Sequence, residues 1–132
     1  MKLAILSDIH GNFKALESAL NIAKKEKVDD IFILGDIFGY GSKPNECCDL
    51  IRNLGCQTLL GNHEAAILVN RDNYGIRTYE GIKITEENLK WLDELPVIIL
   101  EHQIEFMHGF FILVCYSILT TKNVPANSPY QN

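Results

Sequence analysis

An α/β domain built on a parallel sheet is what this sequence predicts, and three observations predict it. Leu3 to Leu6 and Ile31 to Leu34 are continuous apolar runs, the pattern of strands covered on both faces. Between them the apolar residues recur at three and four, which is a helix. And three times a strand ends in a short polar cluster that opens a helix: Asp8-Ile9-His10, Gly35-Asp36 and Gly61-Asn62-His63-Glu64. In a parallel sheet with right-handed crossovers all three strand ends lie on one edge, where such sheets gather their functional groups.

Taken in order, Lys2 to Ser7 is the first strand, and Phe13, Leu16, Leu20 and Ala23 line a helix of about four turns that Asn12 is placed to cap. Ile31 to Leu34 is the second strand. Asp36 follows it and is the first residue suspected of chemistry, although an acid there could equally cap the next helix. Pro44 suits a first helical position, Cys47, Cys48, Ile51 and Leu54 form the apolar stripe, and Gly55 stops it. Cys56 to Leu60 is a third strand, Ala65 to Val69 a short helix, and Asn70 to Gly81 an exposed loop. Thr85 caps a helix through Leu89 and Leu92 that ends before Pro96. Val97 to Leu100 and Ile104 to Met107 pair as a hairpin, with His102 solvated near its turn. Phe110 to Leu119 is strand-like, so residues 1–119 form one domain and 120–132, with two prolines, a loose tail.

Composition narrows the function. At 132 residues the chain fits one domain, and a chain of that size buries about two-thirds of its unfolded surface. Twelve basic against seventeen acidic side chains leave a net charge of −5, so no face for nucleic acid is expected, and a phosphate-bearing substrate needs a local positive charge such as a metal. The first residues carry too short an apolar run for a signal peptide, and Phe110 to Val114 is too short to span a bilayer, so a soluble cytoplasmic protein is expected. The four cysteines show no CxxC spacing and read as small apolar fillers. Lys24, Lys25 and Lys27 read as a solvated helix end.

Carboxylate, imidazole and amide oxygen thus converge at one sheet edge. Such mixed donors suit Mn²⁺, Zn²⁺, Fe²⁺ or Ni²⁺, and a carboxylate can bridge two ions. Each residue also has an ordinary use: Asp8 and Asn12 as helix caps, His10 as an exposed turn residue, Asn62 as a turn initiator, His108 as a bystander, and Glu64 as an acid favoured near a helix N-terminus.

Ser7-Asp8-Ile9-His10-Gly11-Asn12, Gly35-Asp36-Ile37-Phe38-Gly39-Tyr40 and Gly61-Asn62-His63-Glu64 resemble the DxH, GDxxGY and GNHE/D blocks of the calcineurin-like metallophosphoesterases. The following Gly41-Ser42-Lys43-Pro44-Asn45-Glu46 is similar to their small prokaryotic phosphodiesterase-like branch. The resemblance implies an αββα sandwich, with the first sheet and its helices present and the second sheet incomplete. It implies a divalent-metal-dependent phosphoesterase, a phosphodiesterase or phosphatase acting on a phosphoester substrate. Asp8 and His10 would hold one metal ion, Asn62 and His108 a second, and Asp36 would bridge both. His63 would contact the phosphoryl oxygens or protonate the leaving group, while a hydroxide between the metals attacked phosphorus.

The family's late Gly-His-x-His block has no counterpart after His108. A truncated or frame-shifted product would look like this, and each metal would keep three candidate protein ligands, an open site of lowered affinity. Uncovered strands would leave Phe110 to Leu119 to pair with another copy, so a homo-oligomer is expected. The alternative to an enzyme is a catalytically impaired homologue that serves as a binding or scaffold protein.

Overall fold

The computed structural model describes residues 1–74, 81–101, 104–108 and 117–120. Their elements run β1 (Lys2–Leu6), α1 (Phe13–Lys25), β2 (Asp30–Ile33), α2 (Pro44–Leu54), β3 (Gln57–Thr58), α3 (Asn62–Tyr74), α4 (Glu86–Asp93), β4 (Ile98–Glu101), β5 (Ile104–Met107) and β6 (Ser117–Thr120). The predicted parallel sheet is there: β1 pairs β2 and β2 pairs β3, both parallel. β6 adds antiparallel to the free edge of β1, giving the order β3-β2-β1-β6. Three residues of the stretch expected to pair with another copy, Ser117, Ile118 and Leu119, therefore pair within this chain. Residues 109–116 and 121–132, with the rest of that stretch, Cys115 and most of the expected tail, lie outside the described residues, as does His102.

Alternation along the strands sorts two cores. Leu6, Ile31 and Ile33 face the helices, where Leu16 of α1, Cys47, Cys48 and Ile51 of α2 and Leu89 and Leu92 of α4 close over them. Leu3, Ile5, Phe32 and Leu34 face the other way, onto Ile99 and Phe106 of the hairpin β4–β5. The rings of Phe32 and Phe106 stack at 4.2 Å. The layers are therefore helices, first sheet and a second sheet of which the described residues supply two strands.

Local signals set most boundaries. The Asn12 side chain accepts from the Ala15 N–H at 3.1 Å, and Thr85 Oγ1 accepts from the Asn88 N–H at 3.3 Å. Gly55 ends α2 in the left-handed region at φ 67°. Two expectations are corrected. β3 is two residues long, because after Leu59 donates to Ile33 the chain turns away and Leu60 donates to Pro96. α3 starts at Asn62, since the Gly61 carbonyl accepts from Ala65 N–H, and it runs into the expected loop as far as Tyr74, with no glycine or proline before Gly75 to stop it.

Candidate metal centre

The loops that leave β1 and β2 are zipped together by their backbones. Asp8 N–H donates to Gly35 O, His10 N–H to Asp36 O at 2.9 Å, Gly11 N–H to Ile37 O at 2.8 Å, and Gly41 N–H back to His10 O at 2.6 Å. The third loop is tied in by Glu64, a fully buried carboxylate. Its Oε2 accepts from the N–H groups of Asp36 (2.8 Å) and Gly61 (3.0 Å), and its Oε1 from that of Phe38 (2.9 Å). Burial pushes the Glu64 carboxyl up to about 7, helped by the Asp36 charge and opposed by the three amides. Gly61 is required by this closeness: a Cβ there would lie 2.2 Å from Asp36 Oδ1.

Asp8, His10 and Asp36 all have positive φ, 55°, 47° and 53°. Side chains rarely adopt this region, at a cost of about 1–3 kcal/mol each, and such residues concentrate at functional sites. The bends aim all three side chains at one point. One ligand atom each from Asp8, Asp36 and His108 lie within 4.8 Å of one another, and so do those of His10, Asp36 and His63. Asp36 is common to both groups, as a bridging carboxylate must be. His10 Nε2 lies 3.5 Å from Asp8 Oδ1, while His108 Nε2 lies 3.3 Å and His63 Nε2 3.9 Å from Asp36 Oδ2. Asn62 Oδ1 is 2.9 Å from His108 Nε2. All six residues named from the sequence thus meet, with His63 grouped with His10 and Asp36, and Asp8 grouped with His108 and Asp36.

The donors fit a divalent cation. The Nδ1 of His10 faces Phe38 O at 3.1 Å and that of His108 faces Leu34 O. An Nδ1–H donated to a carbonyl leaves Nε2 free to ligate, the usual outer support of a metal-bound imidazole. Without a cation, His108 takes that charge itself. Its hydrogen bond to Asp36 raises its pKa to about 9 against the pull of burial. Burial alone would raise Asp36, but the His108 hydrogen bond and the His63 N–H, which donates to Asp36 Oδ1 at 2.9 Å, hold it below the ordinary carboxylate value. His63 is pushed down by burial, against the opposing pull of the Asp36 charge.

Three features escaped the sequence reading. Glu64, expected only to favour a helix N-terminus, ties loops 35–38 and 61–64 together through its carboxylate. The Phe38 and Leu34 carbonyls orient two histidines, which no side-chain pattern signals. Tyr40 lays its ring 5.0 Å from that of His10 and 5.4 Å from that of His63, walling the cluster. Beside it lies a groove of about 590 Å³ whose lining includes Asp8, His10, Tyr40, Lys14 and Lys43.

The family model described as calcineurin-like phosphoesterase matches residues 1–131. An uncharacterized protein of Methanocaldococcus jannaschii is 44% identical over 107 residues, which are 76% of this chain and 44% of that one. A symmetrical bis(5'-nucleosyl)-tetraphosphatase of Actinobacillus succinogenes is 33% identical over 99 residues, 73% of this chain and 34% of that protein. Among solved structures, a metallophosphoesterase from Sphaerobacter thermophilus superposes with a TM-score of 0.64 at 38% identity, covering 76% of this chain and 43% of that one. One described as a candidate diadenosine tetraphosphatase gives 0.69 at 27%, covering 81% and 49%. The chain spans less than half the length of each of these relatives.

Proposed function

The chain belongs to the calcineurin-like phosphoesterase family, and we propose that it is itself a divalent-metal-dependent phosphoesterase, a phosphodiesterase or phosphatase. One observation carries the proposal: Asp36 belongs to two compact groups of ligand atoms, each drawn from different strand ends. Those groups set Asp8 with His108 and His10 with His63; on the shorter approaches of His10 Nε2 to Asp8 Oδ1 (3.5 Å) and of Asn62 Oδ1 to His108 Nε2 (2.9 Å), Asp8 and His10 would hold one divalent ion, Asn62 and His108 the other, and Asp36 both, with Mn²⁺, Fe²⁺, Zn²⁺ and Ni²⁺ all acceptable to these donors. Such a pair of ions neutralises a phosphoryl group and supplies an activated water for in-line displacement.

The chain's own residues do the rest. The carbonyls of Phe38 and Leu34 keep the Nε2 atoms of His10 and His108 turned to the centre. Glu64 fixes the backbone of Asp36, and the α3 N-terminus carries His63 up to it. His63, whose Nε2 lies 3.9 Å from Asp36 Oδ2, would meet a phosphoryl oxygen or give a proton to the leaving group. The relatives named as bis(5'-nucleosyl)-tetraphosphatases put phosphoanhydrides beside phosphodiesters among the substrates to assay. A binding role is the second reading, favoured by the exposed Val97, Leu100 and Met107.

Hydrolysis of bis(p-nitrophenyl) phosphate with added Mn²⁺ tests the proposal. Asp36→Asn should lower the rate by about a thousandfold or more, and His63→Ala should slow turnover while sparing metal binding. An unchanged rate in Asp36→Asn would sink it.

A further inference from the structure

We propose that Tyr40 is a positioning residue for the reaction proposed above: its ring holds the His63 imidazole turned toward Asp36, so that it acts on turnover through that histidine. The inference rests on the phosphoesterase reading. Tyr40 stands apart from its neighbours in the loop after β2. Ile37 and Phe38 are fully buried, whereas Tyr40 is 63% exposed, so a large ring is placed where it adds little to the core.

The backbone on both sides of Tyr40 is fixed against one residue, His10. A Cβ on Gly39 would lie 2.3 Å from His10 Nδ1, so the backbone there lies flat against the imidazole with no room for a side chain. Gly41 N–H donates to His10 O at 2.6 Å, and a Cβ on Gly41 would lie 2.4 Å from that oxygen. A chain pinned at 39 and 41 leaves residue 40 little choice of position. Its ring meets two imidazoles, tilted at 54° to His10 at 5.0 Å and edge to face with His63 at 77° and 5.4 Å. The rings of His10 and His63 complete the triangle at 4.6 Å and 60°. Tilted and edge-to-face pairs at such spacings attract. The two imidazoles differ in what else holds them. His10 Nδ1 faces Phe38 O at 3.1 Å, which fixes its rotation. His63 Nε2 lies 3.9 Å from Asp36 Oδ2, too far for a hydrogen bond that would fix it in the same way. The Tyr40 ring covers a side of that imidazole, whose side chain is 11% exposed.

The test uses the metal-free and the Mn²⁺-loaded chain. In metal-free protein carrying labelled histidine, NMR couplings should show a single side-chain rotamer for His63 in the wild type and in Tyr40→Phe, which keeps the ring. In Tyr40→Leu they should show averaged rotamers. In the Mn²⁺-loaded chain, kcat for bis(p-nitrophenyl) phosphate should fall about tenfold in Tyr40→Leu, with KM and bound metal within about twofold of the wild type. Tyr40→Phe should restore it. On a His63→Ala background, Tyr40→Leu should slow turnover no further. A single His63 rotamer in Tyr40→Leu, a loss of bound metal or a change in KM alone in that variant, or a full loss on the His63→Ala background would overturn the role. A chain that hydrolyses no phosphoester overturns the function proposed above instead, and the couplings, which need no turnover, still decide whether Tyr40 holds His63.

Discussion

The loops after β1 and β2 are held by their own backbones and tied to the loop after β3 through the Glu64 carboxylate, whereas the hairpin β4–β5 is held to the first sheet by side chains on one face. The loops are joined by backbone hydrogen bonds between segments about 26 residues apart, and Glu64 adds three more from a third segment. The hairpin buries Ile99 and Phe106 against Leu3 and Phe32, while Leu100 is 73% and Met107 58% exposed on its other face. The difference teaches which half positions the chemistry. A net of buried backbone bonds tolerates little displacement, because every broken bond leaves a polar group without water. The hairpin contributes a packed underside and delivers His108 just past β5, where its imidazole reaches Asp36 and Asn62.

Glu64→Ala should break the comparison most severely. It strands three buried N–H groups at once, so a loss of about 3 kcal/mol or more is expected in urea unfolding, and a loss under about 1 kcal/mol would show that the loops hold without it. Next comes Ile99→Ala on the packed face of the hairpin, expected to cost about 2–3 kcal/mol by the same measurement. A smaller effect sits where the two regions meet. His108 has its pKa raised to about 9 from 6.5, so its pairing with Asp36 stabilises the metal-free fold fully below pH 6.5 and is lost as pH rises through 9. The urea midpoint of metal-stripped protein should therefore fall across that window, and His108→Ala should remove the fall. The smallest effect is expected for Leu100→Lys on the exposed face, within about 0.5 kcal/mol. A loss comparable to that of Ile99→Ala would mean that this face is covered.

How much of this was legible follows the range of each interaction. Asn12, Thr85 and Gly55 act on residues within four positions, and all three marked their helix ends correctly. The strand runs and the polar clusters after them were legible because periodicity and composition are local too, and a parallel sheet then brings the clusters together by topology alone. The role of Glu64 was not, because its three partners include amides 26 and 28 residues away. Nor was the antiparallel place of β6 beside β1, since an apolar run does not state which edge it joins or in which direction. α3 outran its expected end because asparagine in a helix costs only a few tenths of a kcal/mol, too little to stop it at Asn70 or Asn73.

The proposed two-ion centre, drawn from three strand ends and His108 and bridged by Asp36, makes one direct demand: the chain must bind metal through that carboxylate. The most direct measurement is the metal content of the purified chain by plasma mass spectrometry after equilibration with Mn²⁺, beside Asp36→Asn as control. About two ions per chain are predicted, falling below one in the variant, since both groups of ligand atoms share that carboxylate. No bound metal in the wild type, or equal metal in the two proteins, would contradict the account.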